Sequence, residues 1–211
     1  MSEKDKIVAP LTFGHDDLVI EDKTTNYNGF FNVNTLTFRH KLFAGGWSGS
    51  VKRELFERGN AVIVLPYDIE RDQIVMLEQI RIGCIANSDK PWMLELVGGM
   101  VEPGEQNEEV AHRETEEEAG LKLRNLMPMV NYLSSAGGTS ERLYLYAGQV
   151  DSSKAGDICG LDYEDEDIKV HVVSRQQALQ YMNDGVIENA ATIIALQWLE
   201  LNLDKLKNAW R

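Results

Sequence analysis

Short stretches of the chain alternate between apolar and polar positions, and two longer stretches repeat apolar residues at helical spacing. From Asn26 to Phe43, NYNGFFNVNTLTFRHKLF mixes aromatic, β-branched and polar residues in rough alternation, which predicts strand, and GGWSGS after it supplies a flexible turn. VKRELFERG leads into AVIVLPYD, apolar enough for a core strand, and IVMLEQIRI repeats that character beyond the turn DIERDQ. WMLELVGG ends on two glycines directly before an acidic stretch and predicts strand, tight loop, helix. LKLRNLMPMVNYLSS and ERLYLYAGQV, around the turn AGGTS, predict further strands, as does IKVHVVS. In the tail, Ser174 with Gln177 fits a capping box, Asn183-Asp184-Gly185 stops that helix, and ATIIALQWLELNL has helical spacing. The order predicts an α+β fold, a mixed α/β sandwich preceded by a small β-rich unit, with a boundary near residues 57–60.

At 211 residues the chain can bury a proper core. With 43% hydrophobic and 26% charged residues it has the composition of an ordinary globular protein, and no low-complexity tract suggests disorder. The net charge of -13 argues against nucleic acid as a partner, because polyanions are drawn to basic surfaces. Any phosphate ligand needs locally supplied cations. Cys84 and Cys159 are too few and too far apart for a CxxC metal or redox motif, so reduced thiols and a cytoplasmic location are expected. The N-terminus has no apolar core of signal-peptide length, and no run of about 18 apolar residues predicts a membrane span.

The acidic stretch carries the chemistry. If Asn107 to Ala119 is helical and Gly120 closes it, a turn of about 100° per residue places Glu114, Glu117 and Glu118 within one arc around Val110, beside Ala111 and Thr115. Glu109, His112 and Glu116 point to water. Like charges at i,i+3 and i,i+4 repel, and half-buried carboxylates either take up protons or need a cation. Arg113 can pair with Glu117, but one arginine cannot neutralise three acids. Oxygen-only ligands favour a hard divalent ion, Mg²⁺ or Mn²⁺.

Gly99, five residues, Glu105, seven residues, then Arg113-Glu114-Thr115-Glu116-Glu117-Glu118-Ala119-Gly120-Leu121 resembles the box of the Nudix hydrolases, which split a nucleoside diphosphate linked to another moiety. Thr115 stands where that pattern has an aliphatic residue. NGFF at 28–31, VKRELFERG at 51–59, LEQIRIG at 77–83, SAGGTSER at 135–142, EDEDIKVHVVSR at 164–175 and ENAATIIALQWL at 188–199 extend the likeness to the bacterial ADP-ribose pyrophosphatases of that family. Ala136 departs from the proline usual there.

The resemblance implies a Nudix α/β/α sandwich over residues 58–211 and an N-terminal β-rich unit, 1–57, that swaps across a homodimer. It implies hydrolysis of ADP-ribose to AMP and ribose 5-phosphate with Mg²⁺, or Mn²⁺ as substitute, about two or three ions per site. Glu114 and Glu118 would be the principal ligands, with Glu117, the Gly98 carbonyl and Glu166 completing the set; Glu164 would be the general base. Arg113 and Glu105 would fix the loop and helix. Arg53, Glu54, Arg58 and Arg81 match positions that contact the nucleotide, Phe30 and Phe31 an aromatic wall for the base, and Met100, Ser135, Ala136 and Gly137 the path beside it. Glu141 matches a hydrogen-bonding residue for the terminal ribose. Two other readings stand beside this one: a Nudix enzyme for another nucleotide sugar such as GDP-mannose, and a non-catalytic ADP-ribose sensor, which would require a degenerate box.

Overall fold

A computed structural model describes residues 9–161, 163 and 165–210, and within it the chain divides into two units. One runs up to Arg58 and includes Ser135–Ser140; the other holds Gly59–Ser134 and continues from Glu141.

The first unit is an antiparallel sheet of three strands, β1 (Leu18–Asn28), β2 (Asn32–His40) and β3 (Val51–Glu57). Gly29, Phe30 and Phe31 form the turn between β1 and β2, so the alternating stretch read from Asn26 onwards bends before it continues as strand. Asn34 is the single buried side chain of this unit among the described residues, at 2% exposure. Its amide accepts from Thr25 Oγ1 at 2.7 Å and donates to Glu57. Among its described residues no apolar side chain is fully buried, so the described part of the sheet has no apolar core of its own. Residues 135–140 join it through Phe56 N–H, which donates to the Gly138 carbonyl at 2.8 Å.

The second unit is a mixed sheet with helices on both faces. Its strands are β4 (Ala61–Asp68), β5 (Gln73–Ile80), β6 (Trp92–Glu95), β7 (Val97–Met100), β8 (Asn125–Leu133), β9 (Arg142–Gln149), β10 (Ile158–Cys159) and β11 (Ile168–Ser174), and its helices are α1 (Asn107–Ala119), α2 (Arg175–Asn183) and α3 (Ala190–Ala209). The main path runs β10-β11-β5-β4-β9-β8, with β4 and β9 parallel and the other pairs antiparallel. On β4, Val62 and Val64 pack with α1, while Ala61, Leu65 and Tyr67 pack with α2 and α3. On β5, Val75 and Leu77 face α1, and Ile74 and Met76 face the other layer. That two-sided burial explains the nearly continuous apolar runs in the sequence.

β4 and β5 pair only next to their hairpin turn, at Tyr67–Ile74 and Asp68–Gln73, and then splay. β6 pairs with β5 and β7 with β4, so WMLELVGG is two strands that change partner at Leu96. The glycine end of this wedge meets α1.

Asp68 ties the β4–β5 turn to the chain after β9. Its carboxylate accepts from Glu70 N, Arg71 N and Arg71 Nη1, and from Ser152 N at 2.8 Å and Ser152 Oγ at 2.9 Å. Burial alone would raise its pKa, but these hydrogen bonds outweigh it and bring the group to about 2 from 3.8. A depressed carboxylate pKa stabilises the fold above the unfolded value and loses that stabilisation as pH falls through the folded one. Asp68→Asn is therefore expected to cost about 2 kcal/mol at pH 7 in urea unfolding, and to flatten the loss of stability that the unmutated chain shows between pH 4 and 2.

Candidate active site

α1 begins and ends by local rules. Gln106 is its extended N-cap, and its N–H donates to the Glu109 carboxylate at 3.1 Å. Gly120 closes it at φ 67°, where the N–H of Gly120 reaches Glu116 O and that of Leu121 reaches Thr115 O. Val110, Ala111, Thr115, Glu118 and Ala119 are buried, while Glu109, His112 and Glu116 are exposed. Thr115 fills the aliphatic position at little polar cost, because its hydroxyl donates to Ala111 O at 2.7 Å within the same helix.

Arg113 gathers the half-buried acids: Nη1 lies 2.7 Å from Glu114 Oε1 and 3.0 Å from Glu117 Oε2, and Nε lies 3.3 Å from Glu105 Oε1. Glu105 also accepts from Glu102 N at 2.9 Å, which fixes the loop ahead of the helix. Glu118 is 3% exposed and points at β7, where Gly98 N–H donates to its Oε2 at 2.8 Å. In an antiparallel strand the N–H and C=O of one residue share an edge, so the Gly98 carbonyl faces the same side as Glu118.

Gly99 shows why two glycines stand here. A Cβ on it would lie 1.7 Å from Glu114 Oε1, so the carboxylate occupies the space a side chain would take. A Cβ at Gly98 chiefly meets Ile63 Cδ1, the end of a flexible side chain. Gly99→Ala is expected to push Glu114 aside, lowering kcat about 30-fold with the melting temperature little changed; an equal loss for Gly98→Ala would contradict this account.

Electrostatics follow the crowding. Burial pushes the Glu118 carboxyl up to about 8, against the Gly98 hydrogen bond, and the charges of Glu114 and Glu166 add to the rise. Burial likewise raises Glu114, and Arg113 offsets only part of it. Glu166, beyond β10, feeds the same field, and its carboxylate accepts from Leu161 N at 3.4 Å. Gly160 N–H donates to Glu117 O at 3.3 Å, tying the acidic loop to the last turn of α1. Each of the four acids thus has a protein donor, and among the described residues no three His, Cys, Asp or Glu side chains converge on a single ion position. Oxygen-only donors around an acid too buried to ionise easily are nonetheless the chemistry a hard divalent cation fits.

Residues 57–196 match the family model described as the NUDIX domain. The chain belongs to the Nudix family. It is 51% identical to the ADP-ribose pyrophosphatase of Escherichia coli (strain K12) over 201 residues, 95% of this chain and 96% of that one. It is 33% identical to the GDP-mannose pyrophosphatase of Pectobacterium atrosepticum, over 85% of this chain and 91% of that one. A solved ADP compounds hydrolase shares the fold at 18% identity with a TM-score of 0.69, covering 92% of this chain and 98% of that one.

The remaining sequence-derived residues fall in both units. Arg81, which caps a short helical turn after β5, shares the α1 face of the sheet with Leu77 and is 44% exposed at its side chain. Its Nε and Nη2 both bind Glu95 Oε1, at 2.7 and 2.6 Å. Glu95 is a functional candidate that the sequence reading passed over as strand; an acid inside the apolar run WMLELV was the available signal. Met100 ends β7 beside Gly59, and Glu141 is buried, its charge raising the pKa of Tyr132 in addition to burial. Glu164, the expected base, lies outside the described residues.

In the first unit, Arg53 and Glu54 are neighbours on β3 and so point to opposite faces of the sheet. Phe30 is 84% exposed and packs edge-on against Phe31, which in turn meets Phe56 and lies under Arg58 at 5.4 Å. Ser135, Ala136 and Gly137 belong to this unit and are exposed. A cavity of about 740 Å³ lined by Glu78, Trp92, His171 and Tyr181 opens on the α2 face, opposite the Nudix helix, and contains none of these acids.

Proposed function

We propose that this Nudix enzyme hydrolyses the diphosphate of ADP-ribose to AMP and ribose 5-phosphate, using divalent cations held by the acids of α1. The observation that carries this reading is the intact acidic face of α1, with Glu118 driven into the core beside Glu114, in a chain 51% identical to an ADP-ribose pyrophosphatase along nearly its whole length.

Glu114, Glu117, Glu118, Glu166 and the Gly98 carbonyl would hold Mg²⁺ or Mn²⁺, about two or three ions. When bound, such ions neutralise phosphoryl oxygens and ease ionisation of an attacking water. Glu164 takes the proton from that water. Arg81 meets the anionic substrate. Phe30, Phe31 and Arg58 form an aromatic and cationic surface suited to adenine, with Arg53 or Glu54 serving from opposite faces of β3, and Glu141 serving the terminal ribose. The lack of a buried apolar core among the described residues of the first unit supports its being completed by a second copy in a swapped homodimer. Two free cysteines suit a cytoplasmic protein.

Turnover of ADP-ribose and of GDP-mannose at one Mg²⁺ concentration tests the substrate. A preference for ADP-ribose is expected; a large preference for GDP-mannose would overturn the reading. Saturable binding of ADP-ribose without product would establish a sensor instead.

A further inference from the structure

Arg81 poses a problem for a cation site. It is the guanidinium on the α1 face of the sheet whose charge is felt by Glu118 and Glu166, two of the carboxylates proposed to hold metal. A free arginine there would fork onto those acids and compete with a divalent ion for them. In the structure its Nε–Nη2 edge is bound to Glu95 instead.

Glu95 is 8% exposed at the end of β6, opposite Leu77 in the register with β5 and one residue before the chain changes partner at Leu96. A carboxylate in that place is costly unless paired, and Arg81 Nε and Nη2 both reach one oxygen, Oε1. Burial raises the Glu95 pKa, and Arg81 opposes the rise. Gln79 sits a diagonal step away on the same face and also favours the ionised form, although its buried amide nitrogen has no acceptor at ordinary hydrogen-bond distance among the described residues.

We propose that Glu95 is a positioning residue: by holding the Nε–Nη2 edge of Arg81 it keeps that cation off Glu118 and Glu166, leaving those carboxylates to divalent ions and the Nη1 side of the guanidinium to the substrate's diphosphate. The proposal rests on the metal-dependent reading above. It makes Glu95 a determinant of metal affinity although it is no metal ligand.

The test is titration of Mn²⁺ into metal-free protein, followed calorimetrically without substrate. Glu95→Leu, which replaces the buried acid by an apolar side chain of similar size, is expected to weaken Mn²⁺ binding about tenfold, because Arg81 falls onto Glu118 and Glu166. Adding Arg81→Gln to that variant removes the competitor and is expected to return affinity to within about threefold of the unmutated chain. Glu95→Gln, which keeps an acceptor but loses the charge, falls between, and serves should Glu95→Leu fold poorly by melting temperature. Unchanged Mn²⁺ affinity in the Glu95 variants would overturn the proposal, as would a double variant no better than Glu95→Leu. An unmutated chain that binds no Mn²⁺ would instead remove the metal-dependent reading, and the proposal with it.

Discussion

Replacing Glu118 by glutamine is expected to lower ADP-ribose turnover by about 10³-fold or more and, at the same time, to stabilise the metal-free protein at pH 8. Both effects come from one placement. The carboxylate is 3% exposed, bonded to a single backbone donor at Gly98, and shares its surroundings with Glu114 and Glu166. Its pKa rises to about 8 from the 4.5 of a free glutamate. A raised carboxyl pKa means that the folded state holds the proton more tightly, so this group favours the metal-free fold below pH 4.5 and penalises it progressively as pH rises towards 8. The ceiling of that penalty is about 5 kcal/mol. Glutamine keeps the shape and the Gly98 hydrogen bond without the charge, so the melting temperature of Glu118→Gln should exceed that of the metal-free unmutated chain at pH 8 and match it below about pH 4.5. Addition of Mn²⁺ should stabilise the unmutated chain and leave the variant nearly unmoved. A variant that melts lower than the parent at pH 8 would show that burial does not oppose the Glu118 charge.

Glu164→Gln is expected to fail in a different way, with kcat lowered about 10²-fold and Mn²⁺ affinity intact. The distinction rests on the roles proposed for the two acids. Glu118 sits in the core against β7, 3% exposed, where it is proposed to hold metal and not to move a proton. In sequence Glu164 falls between Leu161 and Glu166, and its own position lies outside the described residues. As the proposed base it would take the proton from the attacking water without holding the metal. Single-turnover rates and Mn²⁺ titrations on the same preparations separate the two outcomes. Should Glu164→Gln retain most of its kcat, Glu166→Gln becomes the variant to examine, with loss of both rate and metal affinity expected if Glu166 is a ligand alone.

How much of this was legible in the sequence depended on the range of the forces involved. α1 was readable end to end, from Asn107 to the left-handed Gly120, because capping, the i,i+4 pairing of Arg113 with Glu117 and the 3.6-residue period act within a few residues of chain. The apolar runs of β4 and β5 and the caps of α2 at Ser174 were equally local. What escaped were pairings made across distance. WMLELVGG looks like one strand because its period is continuous, but the splaying of β4 from β5 splits it between two partners at Leu96, and that choice is made by the sheet. Residues 135–140 lie between β8 and β9 in sequence and yet cluster with the N-terminal sheet through Phe56 and Gly138. Gly99 carries no mark of the Glu114 carboxylate packed against it, and Arg81 gives no sign that Glu95, fourteen residues on, has claimed one of its edges. By itself the sequence determined which acids sit on one helical face and that they repel; tertiary packing decided which of them is buried deeply enough to resist its own charge, and which cations are held back from it, because burial and long-range ion pairing exist only once the strands have closed around the helix.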